Sequence, residues 1–248
     1  MERLDKILGN SGYGSRKDVK KLIKSGLIEV DGKKVKSPNV QVDVKENNIT
    51  VKGETLVYKK YIYLMMNKPA GVVSATFDNY DETVIDLLEE YHASFNPFPV
   101  GRLDKDTVGL LILTNDGDLN HKMISPKWHV DKVYYAEIDK VVDEDDIRAF
   151  EDGIEIDDGY KCMPAKLDIL NVDSNGSRVM VTIQEGKFHQ IKRMFLARNK
   201  KVVYLKRVSF GRIHLDESIK EGDYRELTEE ELKQVLNSGG DSFTPSEF

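Results

Sequence analysis

Hydrophobic positions in this chain fall mainly into short runs and alternating stretches, the patterns that predict β-strands. Residues 110–113 form an apolar run that ends near the turn signal Asn115-Asp116-Gly117, and they predict a buried strand. Further strands are predicted at residues 61–66, 132–138, 166–172, 178–184 and 202–208. Helical spacing predicts helices at residues 83–91, 118–124, 143–150, 190–198 and 227–236. Because strands and helices are interspersed with few strand–helix–strand repeats, the pattern favours an α+β domain.

A small module is predicted near the N-terminus. Ser15 is placed as a helix N-cap, and one apolar stripe of the helix that follows consists of Val19, Leu22 and Ile23. Gly26 is placed to end this helix, since glycine readily adopts the left-handed conformation found at helix C-termini. Asp31-Gly32 lies between two short strand-like stretches, which predicts a two-residue hairpin turn.

Length allows either one large domain or a small domain with a medium one. The chain has 248 residues, and 40% of them are hydrophobic, which is enough to build a core. It contains no apolar run long enough for a membrane span and begins without an apolar signal region, so we expect a cytoplasmic protein with no membrane partner. The expected divisions are a domain at residues 1–58, a linker at Lys59-Lys60, a domain at residues 61–236 and a flexible tail at residues 237–248.

Charge is unevenly distributed along the chain. The formal net charge is -6, yet residues 1–60 carry +6 and the remainder carries -12. Within that acidic remainder, residues 187–212 contain nine Lys or Arg and no Asp or Glu. Two basic zones on an acidic chain are typical of a protein that binds nucleic acid at chosen surfaces. Ordinary solvated surface is the other explanation for either zone.

The candidate chemistry lies just before the predicted buried strand. The segment Gly101-Arg102-Leu103-Asp104-Lys105-Asp106-Thr107 places acids and bases on a loop whose far end is anchored in the core, where catalytic residues are often held. We interpret Asp106 as a solvated or capping carboxylate outside the chemistry. The single cysteine, Cys162, and the histidines lack the spacing of a metal site, so no metal is predicted.

The N-terminal hairpin Val30-Asp31-Gly32-Lys33-Lys34-Val35 and the helix before it resemble the S4 RNA-binding domain. The resemblance implies that the basic face of the helix contacts RNA phosphates, with an affinity that is sensitive to salt and largely independent of sequence. The residues expected to make these contacts are Arg16, Lys17, Lys20 and Lys24.

Four further segments resemble, in the same order, the motifs of pseudouridine synthases of the branch that contains RsuA and its large-subunit relatives. They are Asn67-Lys68-Pro69-Ala70-Gly71, Gly101-Arg102-Leu103-Asp104 with Thr107 and residues 109–117, Lys132-Val133-Tyr134, and residues 185–195. The resemblance covers nearly the whole chain. It implies a small S4-like domain followed by an α+β catalytic domain with a mixed, largely antiparallel sheet. It also implies isomerisation of a uridine in RNA to pseudouridine, which needs neither a metal nor an organic cofactor.

The same motifs imply a role for individual residues. Asp104 is expected to act as a nucleophile or to stabilise positive charge, and Lys192 to keep its carboxylate ionised, with Arg193 as the second candidate. Tyr134 is expected to pack on the target base, which has to leave its stack to be reached. Arg102 is expected to fill the vacated space or to clamp a phosphate. Other expected RNA contacts are Arg193, Lys187 and Lys132. On residue type alone, Lys192 also fits a simple phosphate contact.

Two segments, residues 121–134 and 186–195, resemble the small-subunit branch most. The sequence therefore predicts an isomerase that converts one uridine of 16S ribosomal RNA, a uridine-516-type site, acting as a monomer on naked RNA or on a pre-ribosomal particle. Two alternatives stay open: a uridine of 23S ribosomal RNA, and a non-catalytic RNA-binding or ribosome-assembly protein. A glycosidase is disfavoured, because no second carboxylate is credibly spaced across a cleft.

Overall fold

The structure is a computed structural model, and it describes residues 1–56 and 58–236, with only the backbone described at Pro126. The predicted tail at residues 237–248 lies outside the described residues. The chain divides into two compact units, the first formed by Met1–Ile62 with Ile85–Phe98 and the second by Tyr63–Val84 with the residues from Pro99 onward. The N-terminal unit therefore contains one segment, Ile85–Phe98, that the sequence assigns to the second domain.

That segment also corrects a predicted helix. The sequence predicts a helix at residues 83–91, whereas Thr83 pairs with Val73 in an isolated parallel bridge and the helix formed covers only Glu90–Ala93. The Tyr91 ring packs against Gly12, so closely that a Cβ at residue 12 would lie 2.9 Å from the ring. Packing of this kind outweighs the helical spacing of a short apolar pattern.

The first unit consists of short strands and helices around one core. Its elements are β1 (Glu2–Arg3), α1 (Leu4–Asn10), α2 (Arg16–Lys24), β2 (Ile28–Val30), β3 (Lys33–Lys34), β4 (Gln41–Val42), β5 (Ile49–Val51), β6 (Glu54–Thr55) and α3 (Glu90–Ala93). Strands β3, β2, β5 and β6 form an antiparallel sheet in that order, and β1 pairs with β4. The core cluster consists of Leu4, Ile7, Leu8, Val19, Ile23, Ile28, Val42, Ile49 and Val51.

The local signals read from this module are confirmed. Ser15 caps α2 in a reciprocal capping box with Asp18, and Gly26 follows the helix with φ 73°. In the hairpin turn between β2 and β3, Asp31 has φ 52° and Gly32 has φ 74°. Both residues are left-handed, as the two-residue turn with the right twist requires.

The second unit is built on a large sheet. One short strand, β8 (Phe98–Pro99), spans a point of division between the units. The elements of the second unit are β7 (Tyr63–Lys68), β9 (Val108–Thr114), α4 (Gly117–Ile124), a short 3-10 helix (Pro126–Trp128), β10 (Lys132–Ile138), α5 (Glu144–Asp152), β11 (Lys166–Asp173), β12 (Gly176–Ile183), α6 (Gln190–Ala197), β13 (Val202–Phe210), β14 (Ile213–His214), β15 (Tyr224–Glu226) and α7 (Glu229–Leu236). Apart from the helix predicted at residues 83–91, the predicted strands and helices of this region are present, and most of their ends are shifted by one to a few residues. None of the helices in the described part of the chain is long and apolar enough to span a membrane.

The sheet order is β11-β12-β10-β13-β9-β7-β15, and β14 pairs with β13. Neighbouring strands run antiparallel except β13 and β9, which are parallel. All seven residues of β9 are buried, so the loop before it leaves directly from the core. The second unit is therefore an α+β domain with a mixed, largely antiparallel sheet, as predicted.

Helix α4 begins at Gly117, one residue earlier than predicted. The sequence predicts the helix from residue 118 onward, whereas Asp116 is the N-cap and accepts hydrogen bonds from the backbone N–H groups of Asp118 and Leu119. Asp116 also accepts a hydrogen bond of 2.8 Å from the Tyr63 hydroxyl. The turn Asn115-Asp116-Gly117 is thus a capping site that ties α4 to β7.

Asp146 of α5 is a fully buried carboxylate that joins this helix to the end of α6. It accepts hydrogen bonds from Arg198 Nε at 2.9 Å and from Lys200 Nζ, whose closest approach is 2.8 Å. Burial alone would raise the pKa of Asp146, but these two cations lower it below its ordinary value of 3.8. The ionised carboxylate is therefore the form that the fold stabilises.

Replacement of Asp146 by Asn should lower the free energy of unfolding at pH 7 by about 2 kcal/mol, because two partly buried cations lose their partner. Since the folded-state pKa lies below the unfolded one, this contribution is complete above the unfolded pKa and is lost as the pH falls through the folded pKa. Urea unfolding of both proteins at pH 7 and pH 3 measures the difference. Asp145→Asn, an exposed neighbour, should change stability by less than about 0.5 kcal/mol.

Candidate active site

The loop that carries Asp104 is clamped by a buried lysine. Lys68, at the end of β7, is fully buried and donates hydrogen bonds to the carbonyl oxygens of Thr107 at 2.9 Å, Lys105 at 3.4 Å and Pro69 at 2.8 Å. Burial lowers the pKa of Lys68 to about 8, although the charges of Asp106 and Asp104 oppose this shift. The ammonium is therefore still mostly protonated at neutral pH, and its three donors hold the loop.

Two further contacts fix the same loop from the segment after β7. The Ser74 hydroxyl donates to the Leu103 carbonyl at 2.9 Å and accepts from the Leu103 N–H at 3.1 Å. The Gly71 N–H donates to the Lys105 carbonyl at 2.8 Å. Asp104 lies between these anchors, so its carboxylate is presented from a backbone that is held on both sides.

Lys192 of α6 brings a cation to this carboxylate from 88 positions later in the chain. Its Nζ lies 3.0 Å from Asp104 Oδ2 and 2.5 Å from Asp106 Oδ1. The Asp104 side chain is 27% exposed and that of Lys192 is 22% exposed, so the pair is partly screened from water but open on one side. The predicted pairing of Asp104 with Lys192 is present.

Asp106 has a larger part in this cluster than the sequence indicates. Burial alone would raise the pKa of Asp106, but the hydrogen bond and charge of Lys192 lower it. Burial would lower the pKa of Lys192, and the hydrogen bonds to Asp106 and Asp104 raise it. Lys192 therefore stays protonated at neutral pH and shares one positive charge between two carboxylates.

His189 is the third group beside Asp104. It is the N-cap residue of α6 and adopts the left-handed conformation, with φ 51°. Its Nε2 lies 3.7 Å from Asp104 Oδ1. The positive end of a helix favours a nearby anion, so His189 and the first turn of α6 provide a suitable environment for the carboxylate. The spacing of the histidines in the sequence predicts no metal site and does not single out His189.

Tyr134 lies two strands away from β9, the strand that follows the Asp104 loop. Strand pairing aligns Lys68 with Gly109, Gly109 with Arg207, and Arg207 with Tyr134. Adjacent strands lie about 4.8 Å apart, so Tyr134 is about 10 Å across the sheet from Gly109, near the start of the strand that follows the Asp104 loop. Tyr134 is 7% exposed.

Gly109 keeps this row of residues close together. A Cβ at residue 109 would lie 2.3 Å from the Arg207 carbonyl oxygen, and the φ of 98° is itself unfavourable for any other residue. Glycine is therefore required where β9 and β13 run side by side. This explains a glycine inside an otherwise apolar strand.

Arg207 is a buried residue near the site that the sequence does not single out. It is 2% exposed, its Nε donates to the Leu110 carbonyl at 2.8 Å, and its guanidinium lies 4.7 Å from the Phe210 ring centroid. One of its terminal nitrogens has no hydrogen-bond partner. The sequence signal that could have indicated its burial is the position of Arg207 on the inward-facing side of β13, a strand with alternating burial.

The segment between β12 and α6 is fixed by a buried polar network. Glu185 accepts hydrogen bonds from the Tyr160 hydroxyl at 2.7 Å, the Met163 N–H at 2.9 Å and Gln190 Nε2 at 2.7 Å. Gln190 Oε1 accepts from the Lys187 N–H at 2.9 Å. Because Glu185 and Gln190 are both buried, these bonds close residues 185–190 into a rigid loop beside Asp104.

Two residues predicted to bind RNA are engaged elsewhere. Arg193, also the second candidate for the cation beside Asp104, pairs instead with Asp157 at 2.5 Å and Asp158 at 2.7 Å. Lys132 is 8% exposed and donates to the Val130 carbonyl at 2.7 Å, and burial lowers its pKa to about 8. Within the protein, Arg193 thus holds a loop and Lys132 stabilises the sheet. RNA contacts by these two residues stay predictions.

The remaining predicted RNA contacts lie on the surface. In the second unit, Arg102 and Lys187 are exposed, and Lys187 Nζ lies 4.2 Å from the Tyr160 ring centroid. In the first unit, the exposed residues of α2 include Arg16, Lys17, Lys20 and Lys24. The apolar residues Val19 and Ile23 of the same helix are buried, so α2 turns its basic face to solvent.

Comparison with known proteins adds to this geometry. A family model described as RNA pseudouridylate synthase matches residues 62–197, and a model of the S4 domain matches residues 2–48. A crystal structure of a pseudouridylate synthase superposes with a TM-score of 0.66 at 36% identity, covering 95% of this chain and 100% of that chain.

Three relatives align over almost their full length. An RNA pseudouridine synthase of Bacillus subtilis, YtzG, described as uncharacterized, is 52% identical over 95% of this chain and 98% of its own. Ribosomal small subunit pseudouridine synthase A of Vibrio vulnificus is 38% identical over 94% of this chain and 99% of its own. Ribosomal large subunit pseudouridine synthase B of Bacillus subtilis is 37% identical over 95% of this chain and 96% of its own.

An S4 domain, an α+β domain whose candidate site contains Asp104, and these matches together define an RNA-modifying isomerase. The chain belongs to the RNA pseudouridylate synthase family.

Proposed function

We propose that this enzyme converts a uridine of ribosomal RNA to pseudouridine with Asp104 as the attacking carboxylate and Lys192 as its counter-ion. The observation that carries the proposal is the ion pair of 3.0 Å between residues that are 88 positions apart. A carboxylate held by a cation stays ionised, which a nucleophile requires. Its partial exposure leaves one side open to a substrate.

The reaction rearranges bonds within one nucleotide. An Asp104 oxygen attacks the nucleotide, the bond from the base nitrogen to the ribose breaks, and the base turns. A bond from base carbon C5 to the same ribose carbon then forms while the bond to the Asp104 oxygen breaks and frees the carboxylate, the C5 hydrogen leaves as a proton, and the freed nitrogen takes up a proton. In this proposal Tyr134 packs on the base while it turns, and Arg102 occupies the space that the flipped nucleotide leaves or clamps a phosphate.

The proposed substrate is small-subunit ribosomal RNA. Residues 121–134 and 186–195 support this target, since both segments resemble the small-subunit branch. A uridine of large-subunit ribosomal RNA is the second candidate, because a relative named for that subunit is 37% identical, close to the 38% of one named for the small subunit. The proposed enzyme works as a monomer in the cytoplasm, on naked RNA or on a partly assembled particle.

Tritium release tests the activity and the target together. Purified enzyme is incubated with 16S or 23S ribosomal RNA transcribed with C5-tritiated uridine, because loss of the C5 hydrogen labels the water. Release from 16S RNA alone supports the proposal, and release from 23S RNA alone moves the target to the large subunit. No release from either RNA or from pre-ribosomal particles would indicate a catalytically silent RNA-binding protein. Pseudouridine mapping in a deletion strain then identifies the nucleotide.

The S4 domain should supply affinity through its basic helix. Combined replacement of Lys20 and Lys24 by Glu should weaken RNA binding by about tenfold at moderate salt, because phosphate contacts are lost. For the same reason, the slope of log K against the logarithm of the salt concentration should become shallower by about one to two. Filter binding at a series of salt concentrations measures both values. Lys161→Glu with Lys220→Glu, exposed positions of the second unit, is a control of equal charge. An unchanged slope in the first variant would exclude RNA docking on α2.

A further inference from the structure

Phe188 presents an aromatic ring to solvent at the edge of the catalytic centre. The residue is 74% exposed, and its ring stacks on that of His189 with the centroids 3.8 Å apart and the planes 17° from parallel. His189 Nε2 in turn lies 3.7 Å from Asp104 Oδ1. One stacked pair of rings therefore extends from the candidate nucleophile to the surface.

The backbone under this pair is held in place. Arg193, whose guanidinium is fixed by two carboxylates, donates a hydrogen bond of 3.3 Å to the Phe188 carbonyl. Gln190 holds the N–H of Lys187, as described above. His189 has φ 51°, a conformation that costs energy for a residue with a Cβ. Because several contacts maintain this conformation, the backbone that carries the exposed ring is held in place.

A single exposed apolar side chain is ordinary on a protein surface, but the surroundings of Phe188 are specific. It lies next to a carboxylate that acts on a nucleotide in the proposed function, and the adjacent Lys187 is exposed. Exposed aromatic rings beside cations bind single-stranded nucleic acid, since every base offers a π face for stacking and every phosphate offers a charge. The chemistry of an unpaired base fits this surface.

We infer that the Phe188–His189 pair is a stacking platform for an unpaired RNA base next to the target uridine. The inference deepens the proposed function and rests on it. When the target nucleotide leaves its stack, a neighbouring base loses a partner at a cost of a few kcal/mol. The Phe188 ring replaces that partner and holds the strand while the uridine reaches Asp104. Phe188 is thus a binding residue, and His189 supports its ring.

Binding to simple oligonucleotides tests the stacking. The probes are an oligouridylate of about twelve nucleotides and an abasic ribose-phosphate strand of the same length and charge, within the range that one binding surface covers. Charge contacts, including those of the S4 domain, are the same for both probes. The wild-type protein should bind the oligouridylate more tightly, and Phe188→Ala should reduce this preference by about tenfold. Phe188→Tyr should keep it, because the ring remains.

A control variant and a turnover assay complete the test. Leu170→Ala removes an exposed apolar side chain from the edge strand β11 and should leave the preference unchanged. In the tritium assay Phe188→Ala should raise KM by about tenfold and leave kcat within about threefold. A variant that keeps both the wild-type preference and the wild-type KM would overturn the inference and assign the ring to another partner.

Failure of the inference differs from failure of the proposed function. If the wild-type protein releases no tritium from any RNA, the proposed function fails, whereas the oligonucleotide preference is still measurable. Asp104→Asn should retain the full preference, because stacking does not need the nucleophile. Loss of the preference in Asp104→Asn would show that the probe binds through the carboxylate and would overturn the stacking platform.

Discussion

Asp104→Asn should lower kcat by at least about a thousandfold and leave RNA affinity within about threefold. The substitution preserves the size of the side chain but removes the negative charge and the nucleophilic oxygen. The loop itself should be unchanged, because its anchors, from Lys68, Ser74 and Gly71, all engage backbone atoms and not the side chain of residue 104. Tritium release under single-turnover conditions measures the loss, and filter binding measures the affinity.

Asp106→Asn is the matched control for this prediction. Asp106 shares Lys192 with Asp104, yet its side chain is 75% exposed, and we assign it no bond to the substrate. It should keep kcat within about fivefold, since Asp104 then has Lys192 to itself. If Asp104→Asn retained wild-type turnover, or if Asp106→Asn were the inactive variant, the assignment of the nucleophile would be wrong.

Lys192→Met should lower kcat by about a hundredfold, the second largest effect that we expect. The methionine retains the length of the aliphatic stem but leaves two neighbouring carboxylates without their shared cation. The alternative role, a phosphate contact, predicts a different result: KM would rise and kcat would be kept. Steady-state kinetics on the ribosomal RNA substrate separates the two roles.

The double variant Lys192→Met with Asp106→Asn sharpens this test. With only one carboxylate left, the repulsion between Asp104 and Asp106 disappears, so part of the lost kcat should return. Such recovery is a coupling between residues in contact, and a double-mutant cycle measures it. Purely additive losses would mean that Lys192 does not act by balancing the two charges.

Local structure was largely predictable from sequence because it depends on near neighbours. The capping box at Ser15, the left-handed turn at Asp31-Gly32 and the fully buried strand β9 follow from residue type and spacing. Where distant packing competed with such signals, prediction was less accurate. The segment at residues 83–91 has helical spacing, yet Thr83 pairs with Val73 and Tyr91 packs on Gly12.

In the candidate site as well, some features were predictable from residue type and spacing, and others depend on distant packing. Residues that resemble family motifs could be named, including Asp104 and Lys192, and their pairing at 3.0 Å agrees with the roles they suggest. Residue type did not indicate which basic side chains have hydrogen-bond or acidic partners within the protein. Lys132 and Arg193 are basic like Lys187, but hydrogen bonds and acidic partners within the fold already satisfy them. The burial of Lys68 and Arg207 could not be predicted from the sequence either, because burial depends on residues far away in the chain.

The sequence by itself determined most strands and helices of the second unit, the S4 module, the family motifs and the carboxylate at their centre, since each depends on residue types at short spacing. Only the tertiary structure decided that one lysine from α6 balances two aspartates, that a buried lysine clamps their loop, and that Phe188 and His189 stack beside them. The lysine contacts join segments separated by tens of residues, and His189 is brought beside Asp104 from a similar distance along the chain. They therefore exist only after the strands pair and fix the distances between side chains.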